Sequence, residues 1–263
     1  MSTMTYAAQD CATMLRRNLR HMLRYPSMTL MLVGQPIVFM LLFVFVFGGT
    51  MGAGLTGVAG GRAEYLTYIT PGILLMAVAS VSLGTAISVA MDMTEGIIAR
   101  FRTMAIARVS VLTGHVVGAL IQTVIAVAVV LAVAVLLGFR SDAGPAGWLA
   151  AVAVLGMLAF ALTWFTVALG LVSKSVETAS NLPMFLVLLP FLGSGFVPTE
   201  SMPTGLRWFA EYQPFTPVIE TVRALLLGTP IGNNAFLAVA WCTVIAMTGY
   251  VWAKRLYNRD PAR

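Results

Sequence analysis

The side chains of this chain that could serve as nucleophile, base or metal ligand are few, and their spacing assembles no reactive set. His21 and His115 stand alone. Neither belongs to a Ser/His/Asp grouping or a metal-ligand cluster, so catalysis has no visible site. Cys11 precedes the first long apolar run and Cys242 lies inside the last, a pair that argues against a disulfide framework or a metal site. Holding the phosphates of a nucleotide takes a glycine-rich loop that ends in Gly-Lys. The two lysines, Lys174 and Lys254, instead follow Val172-Ser173 and Trp252-Ala253, so the chain is not its own ATP motor. Proton or sodium coupling takes ionisable groups at membrane depth. The apolar runs offer only Gln35, Gln122 and, near an end, His115.

What the chain does offer is surfaces and breaks. Ahead of the first apolar run, Cys11, Met14, Leu15, Leu19 and Met22 share one side of a helical wheel, and Arg16, Arg17, Arg20 and Arg24 fit within about 100° of arc. This pattern describes an interfacial helix with arginines toward anionic lipid or a cytoplasmic partner, although a topology signal alone would also demand them. The segment Asp92–Arg108 is longer and more amphipathic than a connector needs. Ile97, Phe101, Met104 and Arg108 recur at helical spacing, with Asp92 and Glu95 at the start and Arg100, Arg102 and Arg108 toward the end, as the helix dipole favours. It reads as a helix on the membrane surface that a protein partner or lipid covers. Further on, Pro198, Glu200 and Pro203, then Glu211 and Pro214, then Pro217–Leu227, form pieces too short and too broken by proline to span. They read as re-entrant helices, since such backbone is tolerated at depth where protein buries it or it lines a watery cavity.

Within the runs, Pro36, Pro183 and Pro190 should bend helices, and Gly193 and Gly195 should loosen the fifth, which would suit a gate. Ser80, Gly84 and Ser88 make a small-residue stripe for close helix approach, within one subunit or across a dimer. Phe39, Phe43 and Phe47 make a second stripe, read as lipid contact. Trp148, Trp252 and Tyr257 read as interface anchors.

These features are positioned by six apolar runs, near Leu30–Phe47, Ile69–Met91, Val116–Gly138, Trp148–Val172, Leu182–Val197 and Ala235–Ala253, none of which contains Asp, Glu, Lys or Arg. A bilayer span takes about 20 mostly apolar residues; the fifth run is the shortest. With 59% hydrophobic residues, 10% charged and a mean hydropathy of +0.89, the 263 residues form an all-α integral membrane protein. Residues 1–28 form the cytoplasmic interfacial helix and residues 29–263 one six-helix domain. The net charge of +6 calls for no nucleic acid, because its arginines flank the spans, where topology and membrane lipids account for them. Placing both termini in the cytoplasm puts twelve of the 16 Lys and Arg inside, with Arg62, Arg140, Arg207 and Arg223 outside.

Read with this topology, the two long loops resemble those of the membrane subunits of type-2 ABC exporters, in their daunorubicin-resistance DrrB-like branch. The resemblance covers nearly the whole chain and is most specific over Glu95–Arg108, Gly195–Pro203, Phe209–Pro217 and Arg223–Gly228. It implies a permease that pairs with a second copy or a related permease and with two separate ATP-binding subunits, which hold ATP and Mg. It implies that Arg16, Arg20, Glu95, Ile97, Arg100, Phe101, Arg102 and Met104 contact that motor, with the loop as coupling helix. Pro190, Gly193, Gly195, Pro198, Glu200, Pro203, Glu211 and Pro214 would form the gate or extracellular re-entrant region. The cargo implied is a hydrophobic or amphipathic small molecule such as a drug or antibiotic, exported across a bacterial cytoplasmic membrane. A complex lipid or lipid-linked glycan is the alternative cargo, and a membrane scaffold that transports nothing is the alternative of another class. Fourteen arginines against two lysines suggest a GC-rich genome.

The charge distribution generates a direct test. Cysteines introduced beside Arg62 and Arg207 should react with an impermeant thiol reagent added outside intact cells, and a cysteine at Thr178 should stay unlabelled. The reverse labelling pattern would invert the topology.

Overall fold

The structure is a computed structural model that describes residue 13, residues 15–17, residue 20 and residues 26–56, 61–96 and 108–258. Regular structure among the described residues is helical, with no strand. Helices satisfy their own backbone groups where no water can. In chain order the elements are α1 (Pro26–Leu42), a π-turn (Phe43–Phe47) that continues into α2 (Gly48–Thr56), α3 (Arg62–Thr94), α4 (Arg108–Leu136), α5 (Pro145–Val172), α6 (Val176–Asn181), α7 (Met184–Leu188), a 3-10 turn (Thr199–Ser201), α8 (Thr204–Tyr212), α9 (Phe215–Leu227) and α10 (Asn234–Asn258).

Five helical stretches among the described residues are long and apolar enough to cross a membrane: Thr29–Gly54, Arg62–Thr94, Leu112–Leu136, Pro145–Val172 and Asn234–Asn258. The remaining run, Leu182–Val197, is no continuous helix. It opens on the turn at Leu182 and Pro183 that follows α6, continues as α7, then turns from Leu189 through Phe196. Pro183 and Pro190 remove amide donors there and clash with the preceding turn, and Gly193 and Gly195 add backbone freedom.

The second helix is the centre of the bundle. In its most apolar window 83% of α3 is buried, against 61% for α5 and 17–28% for the other three. Exposed faces such as Leu30, Met31 and Val38 on α1, or Val124 and Leu136 on α4, need no protein cover where lipid tails solvate them. Backbones meet where a side chain is missing. A Cβ on Gly170 of α5 would sit 2.7 Å from the Ala86 carbonyl oxygen of α3, and one on Gly249 of α10 would sit 2.6 Å from the Phe165 backbone nitrogen of α5.

Two expectations change. The Phe39 and Phe43 stripe faces protein: Phe39 lies 5.3 Å from Phe191, Phe43 lies 4.7 Å from Phe196, and the Phe191 and Phe196 rings stack at 4.3 Å. Past α7 the broken segment is a run of turns, and Phe39 and Phe43 pack against its two phenylalanines. Tyr257 is buried with Trp164, Val89, Leu112 and Ala253 and anchors α10 to the bundle, although its position near a span boundary suggested the water interface.

Gly249→Ala should lower the melting temperature of the purified protein, because its methyl meets immovable backbone, an overpacking penalty of about 1–3 kcal/mol. The same change at Gly156, which has nothing within 4 Å, should be neutral or stabilising by up to ~1 kcal/mol. Equal effects at the two glycines would refute this packing account.

Candidate functional site

The irregular backbone between Leu189 and Val197 is held by polar side chains from α3, from α9 and from the corner between α8 and α9. Arg223 is central. It lies one turn before the end of α9, which Gly228 stops in a left-handed conformation (φ 66°) that glycine adopts without strain. The guanidinium is buried, and its Nη2 donates to the carbonyl oxygens of Ser194 at 2.7 Å and Tyr68 at 3.1 Å. Nη1 pairs with the Glu220 carboxylate one turn earlier on α9. The group also lies 4.0 Å from the centroid of the Tyr68 ring, a cation–π contact. Only a planar fork satisfies two carbonyls, a carboxylate and a ring face together.

Neighbouring groups complete the job. The Tyr68 hydroxyl donates to the Ser194 carbonyl at 3.0 Å, and the Tyr65 hydroxyl donates to the Phe196 carbonyl at 3.3 Å. Gln213 Nε2 donates to the Leu189 carbonyl at 3.1 Å and to Thr216 Oγ1 at 3.2 Å, while Thr216 Oγ1 accepts from the Ser194 amide at 3.4 Å. Glycines make the fit possible. A Cβ on Gly72 of α3 would lie 2.6 Å from the Gly195 carbonyl, one on Gly195 would lie 2.6 Å from the Pro190 carbonyl, and one on Gly193 would lie 2.6 Å from Thr216 Oγ1.

Pro190, Gly193 and Gly195 are therefore brought together with Gln213, Thr216 and Arg223. The other residues of the expected gate lie apart from this knot. Pro198 starts the 3-10 turn that carries exposed Glu200, Pro203 starts α8 and Pro214 starts α9. Glu211 accepts from Arg207 Nε at 2.6 Å on the surface of α8, and this bond raises the Arg207 pKa. In α3, Ser80 is buried, Gly84 faces the Leu32 side chain of α1, and Ser88 is half-buried.

A second polar cluster lies at the opposite end of α3. Asp92 was expected to open an amphipathic loop helix, yet it belongs to the last turn of α3 and is buried. Its Oδ2 pairs with Arg17 of the N-terminal segment and lies 3.1 Å from His115 Nε2 of α4. A carboxylate buried this deeply requires such partners. Between exposed Arg16 and Arg20, Arg17 is the arginine that reaches it. Glu95 is exposed and follows α3, whose helical path ends at Gly96 (φ 71°). Ile97, Arg100, Phe101, Arg102 and Met104 lie outside the described residues.

Sequence reasoning missed Arg223 and the Arg17–Asp92–His115 cluster. A signal existed for the first: Arg223 is a lone cation in the apolar stretch Val218–Leu227 with Glu220 one turn before it, and a charge in such a run needs a partner. The clamp is tested by Arg223→Lys, which keeps the charge and loses the fork. It should cost at least one charge-assisted bond, ~1.5–3 kcal/mol, read as a lower melting temperature, while Arg207→Lys on exposed α8 leaves it unchanged. Equal melting temperatures for both variants and the parent would remove Arg223 from the clamp.

The comparisons with known proteins agree with this architecture. The sequence profile of the family described as "ABC-2 type transporter" matches residues 9–227. The protein of Streptomyces coeruleorubidus named "Daunorubicin resistance ABC transporter permease protein DrrB1" is 31% identical over 207 residues, covering 78% of this chain and 70% of its own length. The protein of Mycobacterium tuberculosis named "Probable doxorubicin resistance ABC transporter permease protein DrrC" is 26% identical over 216 residues, covering 81% and 76% respectively. With a family profile across most of its length and helices that cross a membrane several times, this chain belongs to the ABC-2 type transporter family.

Proposed function

We propose that the chain is the membrane permease half of an ATP-driven exporter that moves a hydrophobic or amphipathic, drug-like molecule out of the cytoplasm or inner leaflet. The observation that carries this reading is the 31% identity, over 78% of the chain, to a relative named for daunorubicin resistance. The energy comes from outside the chain, which has no Gly-Lys phosphate loop of its own. Two ATP-binding subunits hold ATP and Mg, and a second permease copy or a related permease completes the pathway.

In this arrangement the chain crosses the membrane six times, with both termini in the cytoplasm. The broken stretch from Val176 to Phe196 serves as the fifth crossing, with its polar backbone met by protein, and α8 and α9 re-enter the outer edge. The segment from Asp92 to Arg108 and the N-terminal interfacial helix both contact the ATP-binding subunits, the first as the coupling element. A push on that loop acts at the Gly96 end of α3, where Asp92 ties the helix to Arg17 and His115. The far end of α3 carries Tyr65, Tyr68 and Gly72, which hold the broken segment. One continuous central helix thus links the motor contact to the outer clamp.

The test places a charge on the apolar face of the loop. Phe101→Glu should bury an unpaired carboxylate against the ATP-binding subunit, costing several kcal/mol, and should abolish co-purification of that subunit or its substrate-stimulated ATP hydrolysis while the spans still insert. Val124→Ala, on an exposed face of α4, should leave both intact. Normal association and stimulation in Phe101→Glu would move the coupling role to the N-terminal helix.

A further inference from the structure

At the Asp92 end of the bundle, the last two turns of α10 form an open groove of about 580 Å³ lined by Tyr250, Val251, Lys254, Arg255 and Asn258. Neither Lys254 nor Arg255 forms an ion pair among the described residues, and both are exposed. Among the described residues no acidic side chain lines the groove. Tyr250 provides a fixed wall: its ring packs edge-on to Trp164 at 4.9 Å, with the Lys254 ammonium 5.8 Å from its centroid.

The surface below the groove is apolar and continuous with it. Lys254, Val251, Met247 and Val244 follow one another at helical spacing, and Val251 (42%), Met247 (62%) and Val244 (52%) are exposed. From Lys254 to Val244 the helix falls about 15 Å, the depth of roughly one leaflet of hydrocarbon. Two cations with no ion-pair partner among the described residues therefore sit above an exposed apolar track one leaflet deep.

We propose that this face of α10 is a binding site for an anionic phospholipid. The phosphate lies against Lys254 and Arg255, Asn258 and the Tyr250 hydroxyl offer further polar contacts, and an acyl chain runs along Val251, Met247 and Val244. Basic pockets at the ends of membrane helices recognise anionic headgroups by this charge complementarity. The depth of the track favours lipid over a soluble subunit, since a protein seated on the two cations could not follow the stripe into hydrocarbon. The site does not rest on the export reading.

The experiment is native mass spectrometry of the full chain in detergent, titrated separately with phosphatidylglycerol and phosphatidylcholine. Wild type should retain phosphatidylglycerol at far lower concentration than phosphatidylcholine. The double variant Lys254→Gln/Arg255→Gln should lose that preference by roughly thirtyfold, as two cations near a surface predict. The charge-preserving pair Lys254→Arg/Arg255→Lys should keep it, which separates a lost site from a lost fold, and so should Lys174→Gln. Equal retention of the two lipids by wild type, or undiminished preference in the double glutamine variant, overturns the site. So does loss of a co-expressed ATP-binding subunit from that variant with phosphatidylglycerol retention unchanged, which would assign the surface to the subunit.

Discussion

Buried backbone that leaves the helical path must find hydrogen bonds from its own protein, and this requirement organises the structure around Pro190. There the chain abandons regular helical pairing, so that the Leu189 carbonyl keeps a turn bond from the Leu192 amide at 3.1 Å while those of Ser194 and Phe196 look to side chains. Gln213, Arg223, Tyr68 and Tyr65 meet them. Each of these side chains comes from an element whose own placement follows from the need. The pieces α8 and α9 return to bring Gln213 and Arg223 inward, and α3 presents its two tyrosines on the face that meets the break. Water would satisfy the same carbonyls at little cost on an open surface; buried among apolar side chains an unmet group costs several kcal/mol.

The central helix joins two chemically different ends. Its Arg62 end is bound by a fork of donors to backbone carbonyls and by glycine-to-backbone contact, all of which depend on position within a few tenths of an ångström. Its Thr94 end is bound through charge, with Asp92 between Arg17 and His115. Short-range geometric contacts break over small displacements, whereas an ion pair persists with distance. A displacement of α3 along its axis is therefore felt first at the clamp.

The helical class, the places where apolar runs begin and the broken character of the chain around Pro190 and Pro203 were legible, because hydrophobic length and proline both act locally. Partners across the fold were not. Asp92 looked like a loop residue because the apolar run before it stops at Met91, and nothing near it in the chain announces Arg17, 75 positions earlier. Arg223 counted as an outer-loop charge for the same reason: its ligands Tyr68 and Ser194 are 155 and 29 residues away. The Phe39, Phe43 and Phe47 stripe carried a correct period and an ambiguous neighbour, since a row of phenylalanines suits lipid and a protein groove equally. Periodicity says that a face exists; only topology says what it meets.

The π-turn at Phe43–Phe47 has a consequence for chain length. A turn closed by bonds to the fifth residue accommodates one residue more than an α-helical turn, so everything after it is rotated by about 100° relative to an uninterrupted helix. That rotation sets the register of Gly48, where a Cβ would lie 3.1 Å from the Arg62 side chain, and of Phe45, whose ring centroid lies 5.8 Å from the Arg62 guanidinium. The first crossing and the start of the central helix are thus phased by a single inserted residue. Relatives that differ by one residue in this crossing would have to gain or lose it elsewhere in the same helix, so that aligned sequences here should show paired gaps rather than isolated ones.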